Sequence, residues 1–329
     1  MVSRHMRNAA RRCPRVALPT IVCVATLALA ACGTGAGSAA SGDADPLSIV
    51  ATTTILADVT ANVAGDAAEV TTLMEVGADP HNFEASARQL AEMQQADLIV
   101  ANGANLEEHL LDPLEEAERA GVPVFHATEH IAPLPLTGNS AHDSETPHDD
   151  EGSVDPHFWM DPLRMADVAR ALGEQIGELS DDAGAVGTRA DDYAAQLEQV
   201  DRDIDQLLAA IPDDARTLVT NHGSFSYLAD RYGFTVVGTV IPSVTTGAEP
   251  SAQDLEALAT TIEQQQVPAV FAENTAPEQL AQTLAAEVGT PVQVVELYSD
   301  ALGEQGSEAG TYVDMLTTNA ERIRGALGG

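Results

Sequence analysis

The chain has 329 residues, 44% of them hydrophobic, and a formal net charge of −36 from 51 acidic residues against 15 basic ones. So acidic a surface argues against nucleic acid and anionic lipid surfaces as partners, since both would repel it. A chain of this length can bury a large core without covalent bridges, most naturally as two domains.

Residues 1–31 read as a signal peptide, not as part of the fold. Arg4, Arg7, Arg11, Arg12 and Arg15 supply a positive start, and the apolar run Val16–Ala30 is too short to span a membrane. The ending Leu29-Ala30-Ala31-Cys32 resembles the bacterial lipobox, whose cysteine becomes the lipidated first residue; a plain signal peptide without lipid is the alternative. Residues 32–46 then read as a lipidated flexible tether rich in Gly, Ser and Ala. Cys13, Cys23 and Cys32 all lie at or before the cleavage point, so the mature protein has neither a disulfide nor a thiolate metal site. The expected location is extracytoplasmic, with the membrane reached only through the N-terminal lipid. There is no lysine anywhere in the chain.

From Leu47 the pattern alternates between short apolar runs and amphipathic stretches. Runs at 47–55, 68–74, 96–103 and 122–128 predict strands of a buried parallel sheet. Helices are predicted from Glu84 to Gln95 and from Asn105 to Ala120, with Asp112-Pro113 and Glu115 as a cap that restarts or kinks the second. Residues 137–154 are aperiodic and acidic and predict a mobile surface loop. Two helical stretches follow. The second carries an apolar stripe at Tyr193, Leu197, Val200, Ile204, Leu207 and Ile211, long enough to span two lobes.

The same grammar then recurs. Strands are predicted at 216–221, 234–241, 268–274 and 291–299, and helices starting near Ser224, Ser251, Thr275 and Glu308, with Thr275 and Glu278 as a capping box. The expected fold class is α/β: two doubly wound lobes, 47–165 and 213–329, joined by a helical linker over 166–212 that contains one long stiff helix.

Eight histidines remain after the leader. His81 and His157 each stand in an Asp-Pro-His triplet, Asp79-Pro80-His81 and Asp155-Pro156-His157, where proline stiffens the backbone and holds the preceding aspartate extended. His222 follows a predicted strand, and so does Asp300. In open α/β sheets, ligands collect outside the carboxyl ends of strands. Three imidazoles and one carboxylate suit a borderline divalent ion such as Zn²⁺, and Phe83, Phe158 and Trp159 are placed to wall such a site. For His109, His126 and His130 the ordinary reading stands, that of hydrogen-bonded residues with no matching partner. On spacing alone, a shared metal site and unrelated loop histidines both remain open.

The stretches "ATTTILADVTANVAG", "VGADPHNFE", "DPHFWMDP", "TNHGSFSYLADRYG" and "LYSDALG…GTYVDML" occur in order from Leu47 to the C-terminus. Together they resemble the TroA/ZnuA-like solute-binding lipoproteins of bacterial ABC importers for zinc and manganese. The resemblance implies two α/β lobes, a rigid connecting helix and one metal ion in the cleft, held by His81, His157, His222 and Asp300. It also implies an ABC permease as partner, a monomer and no catalysis. His222 stands where manganese members tend to carry glutamate, which favours zinc, with manganese or another divalent ion as the alternative. The 137–154 loop matches the place of a histidine-rich loop of zinc members but is short, with only His142 and His148, which would recruit zinc or receive it from a periplasmic chaperone; an inert linker is the alternative. Glu273 is expected beside the site as a supporting or gating side chain. A zinc hydrolase lacks its H-E-x-x-H helix here, and a surface adhesin lacks an adhesive module.

Overall fold

The computed structural model describes residues 46–136 and 154–328. The expected signal peptide, most of the tether with Cys32, and the acidic stretch holding His142 and His148 lie outside the described residues. Pro135 and Val154, on either side of that stretch, form an antiparallel bridge.

The first lobe contains β1 (Leu47–Ala51), α1 (Thr54–Ala64), β2 (Ala68–Thr72), α2 (Ala87–Met93), β3 (Leu98–Ala101), α3 (Leu111–Ala120) and β4 (Val124–His126). Two helices follow, α4 (Pro162–Leu179) and α5 (Ala183–Leu208). The second lobe contains β5 (Thr217–Thr220), α6 (Ser226–Tyr232), β6 (Thr235–Thr239), α7 (Ala252–Gln265), β7 (Ala269–Glu273), α8 (Gln279–Glu287), β8 (Gln293–Leu297) and the C-terminal α9 (Tyr312–Leu327).

Each lobe has a four-stranded, all-parallel sheet, ordered β2-β1-β3-β4 and β6-β5-β7-β8. The two orders are the same, which the sequence did not disclose, because no residue-level repeat accompanies them. In each sheet the order reverses between the second and third strands, the point where α/β sheets open a crevice at their carboxyl ends.

The eight predicted strands all form, each a few residues shorter than its apolar run. Helix starts follow local chemistry. Thr53 accepts from Leu56 N–H to cap α1, Ser86 and Gln89 form a capping box on α2, and Ser251 and Asp254 do so on α7. Asp161 caps α4, with Pro162 at the first helical position.

Two expected caps do not form. A 3₁₀ turn over Glu108–Leu110 leads directly into α3, so Asp112 lies in the first turn and no side chain caps the start. Pro113 fits there because the first N–H groups of a helix have no partner within it. α8 starts only at Gln279, because the Thr275 hydroxyl instead faces Ser299 Oγ at 3.3 Å and donates to Asp300 Oδ2 at 3.4 Å. A buried carboxylate outcompeted the helix terminus for that hydroxyl.

α4 and α5 pack as a hairpin, and α5, about 39 Å long at 1.5 Å per residue, also touches α1 and α9. Its stripe is buried from Tyr193 to Ile204, Leu208 takes the place of half-buried Leu207, and Ile211 is buried just past the end of the helix. Alternating strand residues divide the interior. Ile49, Leu98, Leu218 and Phe271 face one core that is continuous through both lobes, α4, α5 and α9. Val50 and Ile99 face a private core of the first lobe, and Val219 and Val270 one of the second. Hydrogen bonds also cross: Leu302 N–H donates to Thr54 Oγ1 at 2.9 Å, and Tyr312 N–H to Asp58 Oδ2 at 3.1 Å.

Candidate metal centre

His81 lies on the loop after β2, His222 two residues beyond β5, Asp300 three residues beyond β8, and His157 on the segment entering α4. The fold brings all four together. His157 Nε2 stands 3.3 Å from His81 Nε2 and 3.3 Å from His222 Nε2, and His222 Nε2 is 3.6 Å from Asp300 Oδ2. All four side chains are buried.

The two Asp-Pro-His triplets fold alike. Asp79 Oδ1 accepts from His81 N–H at 3.0 Å, and Asp155 Oδ1 from His157 N–H at 2.9 Å. Each aspartate thus closes a turn around its proline and pins the histidine backbone. Asp155 Oδ1 also meets His157 Nδ1 at 2.8 Å. Glu273 holds His222 in the same two ways, accepting from its N–H at 3.0 Å and meeting Nδ1 at 2.6 Å. A carboxylate at Nδ1 leaves Nε2 to face the cluster and makes it a better donor. His81 differs, since its Nδ1 has no hydrogen-bond partner among the described residues.

The surroundings complete the mount. Ser299 Oγ donates to Glu273 Oε2 at 3.1 Å, and Trp159 Nε1 donates to the Ser299 carbonyl at 2.7 Å. The Trp159 ring packs edge-on against His157 at 5.2 Å. Phe158 is buried in the shared core. Phe83, expected to wall the site, instead packs half-buried on the first lobe's private core. Among the other histidines, His109 is exposed, His126 Nε2 is 3.3 Å from Glu118 Oε1, and His130 stacks on Phe125.

Electrostatics separate the three imidazoles. Burial, reinforced by the fields of His157 and His222, depresses His81 to about 2, so this ring is neutral at physiological pH. Burial also works against charge on His222, yet the Glu273 and Asp300 carboxylates outweigh it and raise His222 to about 9. Glu273 is lowered: burial favours its acid form, but the charge and hydrogen bonds of His222 overcome that. Asp300 is raised, chiefly by burial, and its Oδ1 is a buried acceptor without a hydrogen-bond partner among the described residues. An unpartnered carboxylate oxygen beside three convergent imidazole nitrogens is a donor set for a divalent cation. Two further three-residue groupings, Asp79/His81/Asp300 and His222/Glu273/Asp300, also have donor atoms within 4.8 Å of one another.

Sequence reasoning identified the four convergent residues but missed what Asp79 and Asp155 do. The signal was present, because an aspartate two residues before a backbone N–H is a turn former. It placed Glu273 beside the site without identifying His222 as its partner.

Residues 49–326 match the family model ZnuA, described as the periplasmic component A of a zinc-uptake complex. The zinc-binding protein TroA of Treponema pallidum is 32% identical over 88% of this chain and 91% of its own length. The manganese-binding lipoprotein MntA of Bacillus subtilis is 31% identical over 95% of this chain and 99% of its own. The solved structure of Treponema pallidum TroA superposes with a TM-score of 0.77 at 32% identity, covering 86% of this chain and 99% of that one. Match length, identity and fold agree: the chain belongs to the ZnuA family, metal-binding substrate-binding proteins that work with the permease of an ABC transporter.

Proposed function

We propose that this protein captures one Zn²⁺ outside the cytoplasm, through His81, His157, His222 and Asp300, and hands it to an ABC permease. The spacing of the donors carries this reading. A tetrahedral zinc with ligand bonds of about 2.0–2.1 Å requires donor–donor edges of about 3.3–3.4 Å. The three measured edges are 3.3, 3.3 and 3.6 Å.

Three imidazoles favour zinc over a harder ion. Manganese is the second reading, supported by the similarity to a manganese-binding relative. Four protein donors close the shell, whereas a catalytic zinc keeps a position for water, so the role is carriage without chemistry. In this reading the lobes are 47–165 and 213–329 with 166–212 between them, and the protein is a monomer anchored by lipid at Cys32. No helix of the described residues is long and apolar enough to cross a membrane.

The test is a competition titration of the metal-stripped mature protein with Zn²⁺ and Mn²⁺ against a chelator. One tight zinc per chain with far weaker manganese is expected. Tight manganese would keep the transport role and overturn the choice of ion; tight binding of neither would overturn the site. His109→Ala serves as the control. His109 is exposed and outside the cluster, so the same titration is expected to give the wild-type affinity.

A further inference from the structure

The loop between β6 and α7 carries no histidine, yet it touches two of the histidine corners. At one end Gly223 N–H, next to His222, donates to the Ser243 carbonyl at 3.0 Å, and Ile241 N–H donates to the Asn221 carbonyl at 2.8 Å. The approach is close enough that a Cβ at Gly223 would stand 3.1 Å from Val244 Cγ1 and 3.3 Å from Ser243 O. At the other end the Thr246 hydroxyl donates to Asp79 Oδ2. Asn82 Nδ2 joins them, donating to Thr246 Oγ1 at 2.8 Å and to Asp79 Oδ2 at 2.7 Å. Asp79 Oδ1 in turn accepts from His81 N–H.

A strap from the second lobe thus ties the His222 corner to the His81 corner of the first. Thr246 and Asp79 are half-buried and Asn82 is exposed, which puts this end of the strap at the surface. His81 is the imidazole that most needs such a tie. Carboxylates fix the rings of His157 and His222 at Nδ1, but His81 Nδ1 has no hydrogen-bond partner among the described residues. Its placement therefore depends on its backbone corner, which Asp79 holds and Thr246 steadies.

We infer that Thr246 is a positioning residue that governs how fast the bound ion escapes, acting through Asp79 on His81. The inference rests on the four-donor site proposed above. Removing the hydroxyl deprives a carboxylate of one donor and loosens the His81 corner, which shortens retention and leaves the other three donors in place.

The test mixes the zinc-loaded mature protein with excess chelator in a stopped-flow instrument. Thr246→Val is expected to release zinc about tenfold faster, the size of one lost hydrogen bond to a charged acceptor. Capture should stay within about twofold, because changes of this kind fall mainly on dissociation. Thr246→Ser, which restores only the hydroxyl, is expected to return release to the wild-type rate. In the metal-free protein, amide exchange at His81 should quicken in Thr246→Val and not in Thr246→Ser. Release at the wild-type rate from Thr246→Val, or equally fast release from both variants, overturns the inference while the site stands. A wild-type protein that holds no zinc overturns the site itself, and this shows before any variant is made. If Thr246→Val does not fold, Asn82→Ala at its exposed position decides the matter, with faster release expected and an unchanged rate overturning it.

Discussion

His222→Ala is expected to abolish tight zinc capture, with a loss well beyond the roughly 100-fold that removal of a supporting partner costs. The substitution opens the donor shell at the corner shared by two of the measured edges, to His157 and to Asp300. It also strands two carboxylates. Glu273 and Asp300 have fully buried side chains, and His222 is the positive charge between them. Breaking a buried pair in this way typically costs about 3–5 kcal/mol, so the metal-free variant is also expected to denature at clearly lower urea concentration at neutral pH. The chelator titration checks the first effect and equilibrium unfolding the second. Wild-type zinc affinity in this variant would remove His222 from the site.

Glu273→Gln is the second large effect. The amide oxygen can still accept from one of the two His222 N–H groups that Glu273 holds, its NH₂ cannot accept from the other, and zinc affinity is expected to fall by about 10–100-fold. The sharper readout is protons. In the wild type, His222 raised to about 9 carries a proton that an incoming cation must displace. Calorimetry in buffers of different ionisation enthalpy should therefore show about one proton released from His222 per ion at pH 7.5, fading above pH 9. Without the Glu273 charge, burial is opposed only by the Asp300 and Asp79 carboxylates, the His222 pKa falls, and this proton release is expected to shrink.

The same shifts shape the stability of the metal-free protein. His222 is raised above its unfolded value of 6.5, so its stabilisation is complete below pH 6.5 and lost as pH rises through about 9. His81 is depressed from 6.5 to about 2, so stability is lost progressively as pH falls below 6.5 and the unfolded chain takes a proton that the folded one refuses. Both therefore favour a maximum near pH 6.5 before metal binds.

Much of this was legible in the sequence because the signals were local. Apolar runs marked the eight strands, and histidines or acids just beyond strand ends marked the cleft. What escaped was set by distant partners. Thr275 and Glu278 had the spacing of a capping box, but Asp300, 25 residues on, took the hydroxyl. Glu273 showed as a strand-end acid, while its bond to His222 spans 51 residues and two separate strands. Thr246 left no trace at all, since a threonine in a loop has no periodicity to read. Its partner Asp79 lies 167 residues earlier in the chain.

The core that runs unbroken through both sheets and across α4, α5 and α9 has a consequence for how the molecule comes apart. Each large apolar side chain exposed costs about 1.5–3 kcal/mol, so pulling the lobes away from each other is paid in the same currency as denaturation. Neither lobe is closed off as a separate folding unit, because one face of each sheet opens into the core that α4, α5 and α9 share. Heat or denaturant should then melt the chain in a single cooperative transition. Proteolytic excision of either lobe would leave a sticky, half-dressed fragment. Spontaneous fluctuations that spare the fold are confined to the loops at the strand ends, where opening is local and cheap.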